Sequence, residues 1–447
     1  MDIKVLEIVN LLIVLVLAYV LTHKKDVVFL CFVLFLYGTL HFTFSAISLG
    51  LDDHYAILVL QHIEGGGLLA NLSALFIICI IYYFLSKTAF NFLSNIPPSD
   101  KGFFYVLLVL MLLMFVGYLF NYRSGDWLQF KNIISFSAML FMISVGYLGL
   151  TKVESFNVKA AFFPLSSLLI ILIVMDIIAV YEVFYRKSWA GTLQSTGEMV
   201  HRASGTLFNP NLLAFWASLI YLGCCYLLTS TKDYCKQIMV TMVLASLAIY
   251  LSGARSVGYL LLGLSVIPAL LIKGHFRYLP LVVQPFSMLF FYATVKWLLI
   301  PISKSSEGWQ QLVFLGHRFV EAPIYLIKYI GFLLGYITTL PPEVIVSING
   351  RFIGDGRDSG WMVFYQDVGW LGIITPVFIC LVSLVLAIKS YIRDKSSHSV
   401  YAICILLNCI LVGVFMRFQT FPLWLFMGVV LIPCVAFWSR QPAVLSN

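Results

Sequence analysis

Apolar runs of about 18 residues or more recur along this chain with short polar breaks between them, and each is long enough to cross a ~30 Å hydrocarbon core as a helix. No other feature restricts the fold so strongly. A spanning segment must satisfy its own backbone hydrogen bonds, which leaves helices or a closed barrel. A barrel would show shorter, alternating segments. The runs therefore predict an all-α polytopic membrane protein, a single integral membrane domain over residues 1–447. Composition excludes a soluble multi-domain protein: 61% of residues are hydrophobic and 11% are charged. The net charge of +8 fits basic loops and implies no nucleic-acid partner. The first run, Val5–Leu21, lacks a small-residue cleavage site and reads as a retained span.

Candidate spans fall near 5–22, 27–49, 66–86, 103–120, 133–150, 161–183, 211–230, 237–252, 256–272, 279–300, 361–388, 399–416 and 421–438. That makes 13, within a range of about 12–14, with the N-terminus outside and the C-terminus inside. The loops assigned to the inside hold 14 Lys and Arg, against 5 in the short outer segments, which fixes the orientation. Two outer loops are long, Tyr185–Pro210 and Pro301–Gly360. Within the second, Glu307–Glu321 is amphipathic, with Trp309, Leu312, Val313 and Val320 on one side and Gln310, Gln311, His317 and Glu321 largely on the other. Ile324–Leu340 is apolar enough to span, but counting it would place the basic run at 389–397 outside. It is therefore expected to be an interfacial or re-entrant helix. Pro323 separates the two, and the pair could roof a cavity opening between the spans. All nine cysteines fall in spans or inner loops without zinc spacing and read as small apolar packing residues.

Arginine departs from the lysine pattern. In this topology 8 of 11 Arg face outward but only 6 of 17 Lys. A selective outward excess of guanidinium points to a site that holds phosphate or carboxylate bidentately. Three motifs carry these residues. His201-Arg202-Ala-Ser-Gly-Thr-Leu-Phe-Asn-Pro-Asn211 leads into a span; Asn209 and Pro210 serve to start a helix, whereas Arg202 is either a ligand contact or a structural residue. Leu251-Ser-Gly-Ala-Arg255-Ser-Val-Gly258 is a tight outer turn whose arginine snorkels to the interface or binds an anion with the turn's N–H groups. Arg351-Phe-Ile-Gly-Asp355-Gly-Arg357-Asp358-Ser-Gly-Trp361 precedes a span, as a charged loop or with Asp358 over the cavity mouth; Asp367 lies about two turns further on. His317-Arg318 is a further pair, which the polar face of its helix explains equally well.

These motifs resemble, in order and topology, the O-antigen polymerase and ligase family over roughly residues 180–440. The Arg-x-x-Gly-Thr-x-x-Asn-Pro-Asn segment, the Ser-Gly-x-Arg-Ser turn, the single large late outer loop, the Asp358/Asp367 exit and the hairpin from Arg417 to Trp424 carry the resemblance. It implies a bacterial inner-membrane glycosyltransferase that moves a glycan from an undecaprenyl-diphosphate carrier at the periplasmic face, with no nucleotide, metal or other cofactor. A polymerase adds the glycan to another carrier-linked repeat unit, and a chain-length regulator protein is a possible partner besides membrane lipid. A ligase adds it to lipid A–core. Ligases usually carry a His near the end of the large loop, where this chain has Asp358, which favours polymerase; His317 keeps ligase open.

The chemistry matches the residues. A leaving diphosphate gathers negative charge, which fixed cations can stabilise; Arg202, Arg255, Arg318, Arg351 and Arg357 are the candidates. The attacking hydroxyl needs a base, for which Asp358 or His317 is available. Asp52-Asp53-His54 offers a second enzymatic reading, with the catalytic acid in an early outer loop. A flippase or transporter is the alternative from a different class, with His41, Asp176 and Asn408 lining a path. Transporters often show repeats and paired broken helices, and the sequence shows neither.

Overall fold

Gly253 divides one long apolar stretch into two helices. It takes the left-handed conformation (φ 59°) and returns its N–H to Tyr250 O at 3.0 Å, an ending that glycine permits without steric cost. Ser252 reinforces the turn: its hydroxyl accepts from the Ala254 N–H at 3.1 Å and donates to Ile249 O. The chain resumes as a helix at Arg255.

The computed structural model describes residues 162–185, 202–203, 205, 210–230, 234–273, 275–303, 307–317, 319 and 397–415, with further positions within 105–121 and 369–395. These are helical almost throughout, with no strand among them. We number the helices α1 (Phe162–Tyr185), α2 (Pro210–Ser230), α3 (Cys235–Ser252), α4 (Arg255–Leu271), α5 (Leu279–Ala293), α6 (307–317) and α7 (Ser397–Phe415). The π-helical turn Thr294–Leu299 and a last short turn, Ile300–Ser303, extend α5. The predicted spans 161–183, 211–230, 237–252 and 279–300 are helical at their described positions, and 256–272 is helical to Leu271. One expectation needs correcting: residues 389–398 are not a loop throughout. Helical positions continue through Arg393, because no breaker intervenes in Lys-Ser-Tyr-Ile-Arg. The helix stops where Lys395 turns left-handed (φ 49°), its N–H on Tyr391 O.

Helix α3 lies at the centre. It packs on α2, α1 and α5, while α7 closes against α4 and α2. The core holds Trp216, Tyr221, Tyr250 and Tyr401, all fully buried. Polar side chains tie the helices from within. Asn408 donates to Ser218 Oγ (2.7 Å, α7 to α2), Tyr221 to Pro280 O (2.6 Å, α2 to α5) and Gln284 to Gly258 O (2.8 Å, α5 to α4). Cys224, Cys225, Cys404 and Cys409 are buried thiols outside any disulfide, and Cys404 donates to Leu264 O.

The outer surface is apolar in stripes. Val109, Leu112, Val116 and Leu119 are exposed at helical spacing, as are Trp370, Ile374, Val377, Leu381, Val385, Ile388 and Ile392. On α5 and its extension, Phe286, Leu289, Phe290, Trp297 and Ile302 face outward, Trp297 at 70% exposure. Exposed apolar stripes of this kind mark surfaces that meet lipid or protein. Among the described residues, Cys235–Ser252 and Leu279–Ile302 are long and apolar enough to cross a membrane.

Candidate functional site

The ends of α1, α3 and the starts of α2, α4 meet at one pole, the pole that the sequence assigns to the outside. There Arg202 binds the α3–α4 turn. Its Nε donates to Ser252 O at 2.8 Å and its Nη2 to Asn211 Oδ1 at 2.7 Å, at the first turn of α2. The neighbouring backbone adds Ala203 N to Leu251 O at 3.0 Å. A carboxylate completes the knot: buried Glu182, near the end of α1, accepts the Gly205 N–H at 2.7 Å. Arg202 therefore spends guanidinium donors on the protein itself, joining three segments that converge on one turn.

Arg255 stands on the same turn as the first residue of α4, half-buried. The N-terminal end of a helix carries positive partial charge. A guanidinium placed there is opposed by the helix and favoured by an anion, which both attract.

Helix α6 lies over this pole. Its buried side carries Gly308, Leu312, Val313, Leu315 and Gly316, while Gln310 and His317 are exposed, close to the predicted division. Phe314 is the exception, exposed on the outer side. The docking is specific. Tyr250 Oη donates to Leu312 O at 2.6 Å, Tyr259 Oη donates to Phe319 O, and Trp309 meets Phe184 edge-to-face at 5.0 Å between centroids. A Cβ on Gly253 would lie 3.0 Å from Leu315 Cδ2 and 3.4 Å from Arg202 Cγ. The turn is thus clasped between Arg202 on one flank and α6 on the other. Beneath α6 is a cavity of about 250 Å³ lined by Tyr250, Tyr259, Gln284, Met288, Tyr292 and Phe319, among others.

At the far flank, His317 faces Tyr292 of α5. Nε2 and Oη are 3.5 Å apart, and the rings meet edge-on at 5.5 Å. Lys296, in the π-helical turn, donates to the same Oη at 3.1 Å. No family model matches the chain, and no curated protein or solved structure matches it.

Arg202, Arg255 and α6 with His317 thus gather round one turn. Arg318, Arg351, Arg357 and Asp358 lie outside the described residues, as do Asp367, Asp52, Asp53 and the 324–340 segment. Gly369, two residues after Asp367, sits against Asn121, whose side chain a Cβ there would overlap. Sequence reasoning missed Glu182, Tyr292, Lys296 and Asn121. Two of these left a trace: Lys296 is the one charge in its apolar span and Glu182 shares its span with Asp176, and an ionisable residue there is costly enough to demand a role. Among the described residues no three His, Cys, Asp or Glu side chains gather as metal ligands. Among the described residues the pole offers guanidinium, ammonium, imidazole and phenol, besides the Glu182 carboxylate that is engaged with Gly205.

Proposed function

We propose that this chain is a polytopic inner-membrane glycosyltransferase, a surface-polysaccharide polymerase acting on undecaprenyl-diphosphate-linked oligosaccharide at the periplasmic face. The reading rests on one juxtaposition: Arg255 at the α3–α4 turn, that turn tied by Arg202, and an amphipathic loop helix docked above it. The apolar outer stripes support a lipid surround. In the reaction, an acceptor-sugar oxygen attacks the anomeric carbon of the donor. The bond from that carbon to the diphosphate oxygen breaks, its electron pair stays on the phosphate, and the hydroxyl proton passes to a base, Asp358 or His317. One displacement inverts the anomeric centre. Arg255, with Arg318, Arg351 and Arg357 from the large loop, balances the growing charge on the diphosphate, and Arg202 holds the turn that presents Arg255.

The test is the glycan ladder of a deletion strain complemented with the Arg255→Gln variant. A polymerase defect leaves core capped with one repeat unit and no long chains. A ligase defect leaves no attached glycan at all. Normal chain lengths would overturn the site assignment.

One observation favours a transport reading. Asp176 is buried in α1, and neither carboxyl oxygen has a hydrogen-bond partner among the described residues. An uncompensated acid at that depth is what a proton- or cation-coupled carrier would use. Asn408, another polar residue of that path, is instead engaged with Ser218 in the packed core, and His41 lies outside the described residues. An Asp176→Asn variant separates the two: normal long chains support the polymerase, and carrier-linked units trapped on the inner face support a flippase.

A further inference from the structure

The surroundings of His317 say which way its ring faces chemically. Among the described residues, the charged or titratable side chains at the α6 end of α3, α4 and α5 include Tyr250 on α3, Arg255 and Tyr259 on α4, and Tyr292 and Lys296 on α5 and its extension. Tyr250 and Tyr259 donate to backbone carbonyls of the α6 segment. Among the described residues Tyr292 is the one whose hydroxyl reaches the imidazole, at Nε2. Two backbone features bring this about. Gly316 is the first: a Cβ there would overlap the Tyr292 ring and lie 2.6 Å from Tyr250 Oη, so α6 can lie this close only with glycine next to His317. The second is the π-helical turn, in which Ile300 N–H reaches back to Val295 O and which contains Lys296. Such turns give up regular helix geometry and concentrate at functional sites.

Direction follows from the donor inventory. An ammonium group only donates, so Tyr292 Oη accepts from Lys296 Nζ. A hydroxyl that accepts from a cation becomes a stronger donor at its own hydrogen, because hydrogen bonds in a chain polarise one another. That hydrogen is therefore directed at Nε2. A neutral imidazole whose Nε2 accepts carries its proton on Nδ1.

We propose that Lys296 and Tyr292 are positioning residues that hold His317 as the Nδ1–H tautomer, so that it presents an N–H donor to an anionic oxygen of the bound substrate and does not serve as the base. The proposal deepens the glycan-transfer reading: it assigns His317 to the diphosphate and leaves the acceptor's proton to another group, for which the sequence offers Asp358. The preorganised donor would act where charge develops.

Two experiments test it, and the first does not depend on any enzymatic activity. In ¹⁵N-histidine-labelled protein, the His317 ring shifts, assigned by their loss in His317→Asn, should report protonated Nδ1 and unprotonated Nε2. This is the tautomer that an imidazole free in water disfavours. Lys296→Met or Tyr292→Phe should return the ring toward Nε2–H while the other histidine signals stay in place. A wild-type ring protonated on Nε2, or one unmoved by both substitutions, overturns the proposal. The second experiment uses chain growth. Asparagine places an amide N–H near the position of Nδ1 but cannot act as a base. His317→Asn should retain at least ten times the activity of His317→Ala, and His317→Asn as inactive as His317→Ala would overturn the donor role. If no His317 variant alters chain growth while the ¹⁵N result holds, the positioning chain stands and the donor role falls; normal chain lengths in Arg255→Gln as well would bring down the polymerase reading.

Discussion

The two flanks of the α3–α4 turn are held in opposite ways. On one, Arg202 commits its fork to Ser252 O and Asn211, with Glu182 fixing the backbone at Gly205. On the other, His317 is exposed and meets Tyr292 at 3.5 Å. One flank is a strut and the other is an open edge. The difference teaches that an outward arginine is not by itself a ligand contact. A guanidinium can build the site, as Arg202 does, or occupy it, as we assign to Arg255.

The comparison breaks or sharpens under substitution. The largest loss of stability is expected for Arg202→Ala, which strands Ser252 O and Asn211. Hydrogen bonds to a charged group contribute roughly 1.5–3 kcal/mol each, so a total of about 3–6 kcal/mol should be lost in thermal or denaturant unfolding in detergent. Arg202→Lys should fall nearly as far, because an ammonium cannot reach both partners with a planar fork. A lysine variant of full stability would mean that the strut is misassigned. Gly316→Leu comes next. The added side chain must displace Tyr292 or lift α6, at about 1–3 kcal/mol, and limited proteolysis within 307–319 should accelerate. Tyr250→Phe removes the single bond to Leu312 O and should cost about 1 kcal/mol. A smaller stability loss than for Arg202→Ala is expected for Arg255→Gln in the same unfolding assay, although that variant should lose long-chain polysaccharide. Should Arg255→Gln destabilise as much as Arg202→Ala, the distinction between the two arginines would vanish.

Much of the helical layout was legible because boundaries carry chemical punctuation. Ser252-Gly253 and Pro210 mark helix ends in any context, and the structure has ends there. The end near Lys395 was not legible, since Lys-Ser-Tyr-Ile-Arg continues a helix as readily as a loop. The amphipathic face of 307–317 was readable from its 3.6-residue period; its landing place was not, because Tyr250, Gly253 and Tyr259 are remote in the chain and contribute only small side chains or a hydroxyl. Arginine number and placement singled out Arg202 and Arg255 but could not separate strut from ligand, since both sit beside glycine and serine in turns. The Lys296–Tyr292–His317 chain was invisible because it depends on a π-helical turn and on the close approach at Gly316, neither of which has a sequence period.

The central claim is that the turn bearing Arg255 binds the lipid diphosphate. Affinity of the purified protein for undecaprenyl diphosphate tests it most directly, measured for wild type and for Arg255→Gln at matched folded fractions. Loss of a charged hydrogen-bond donor should weaken binding by about tenfold or more. Equal affinity in the two proteins would contradict the account.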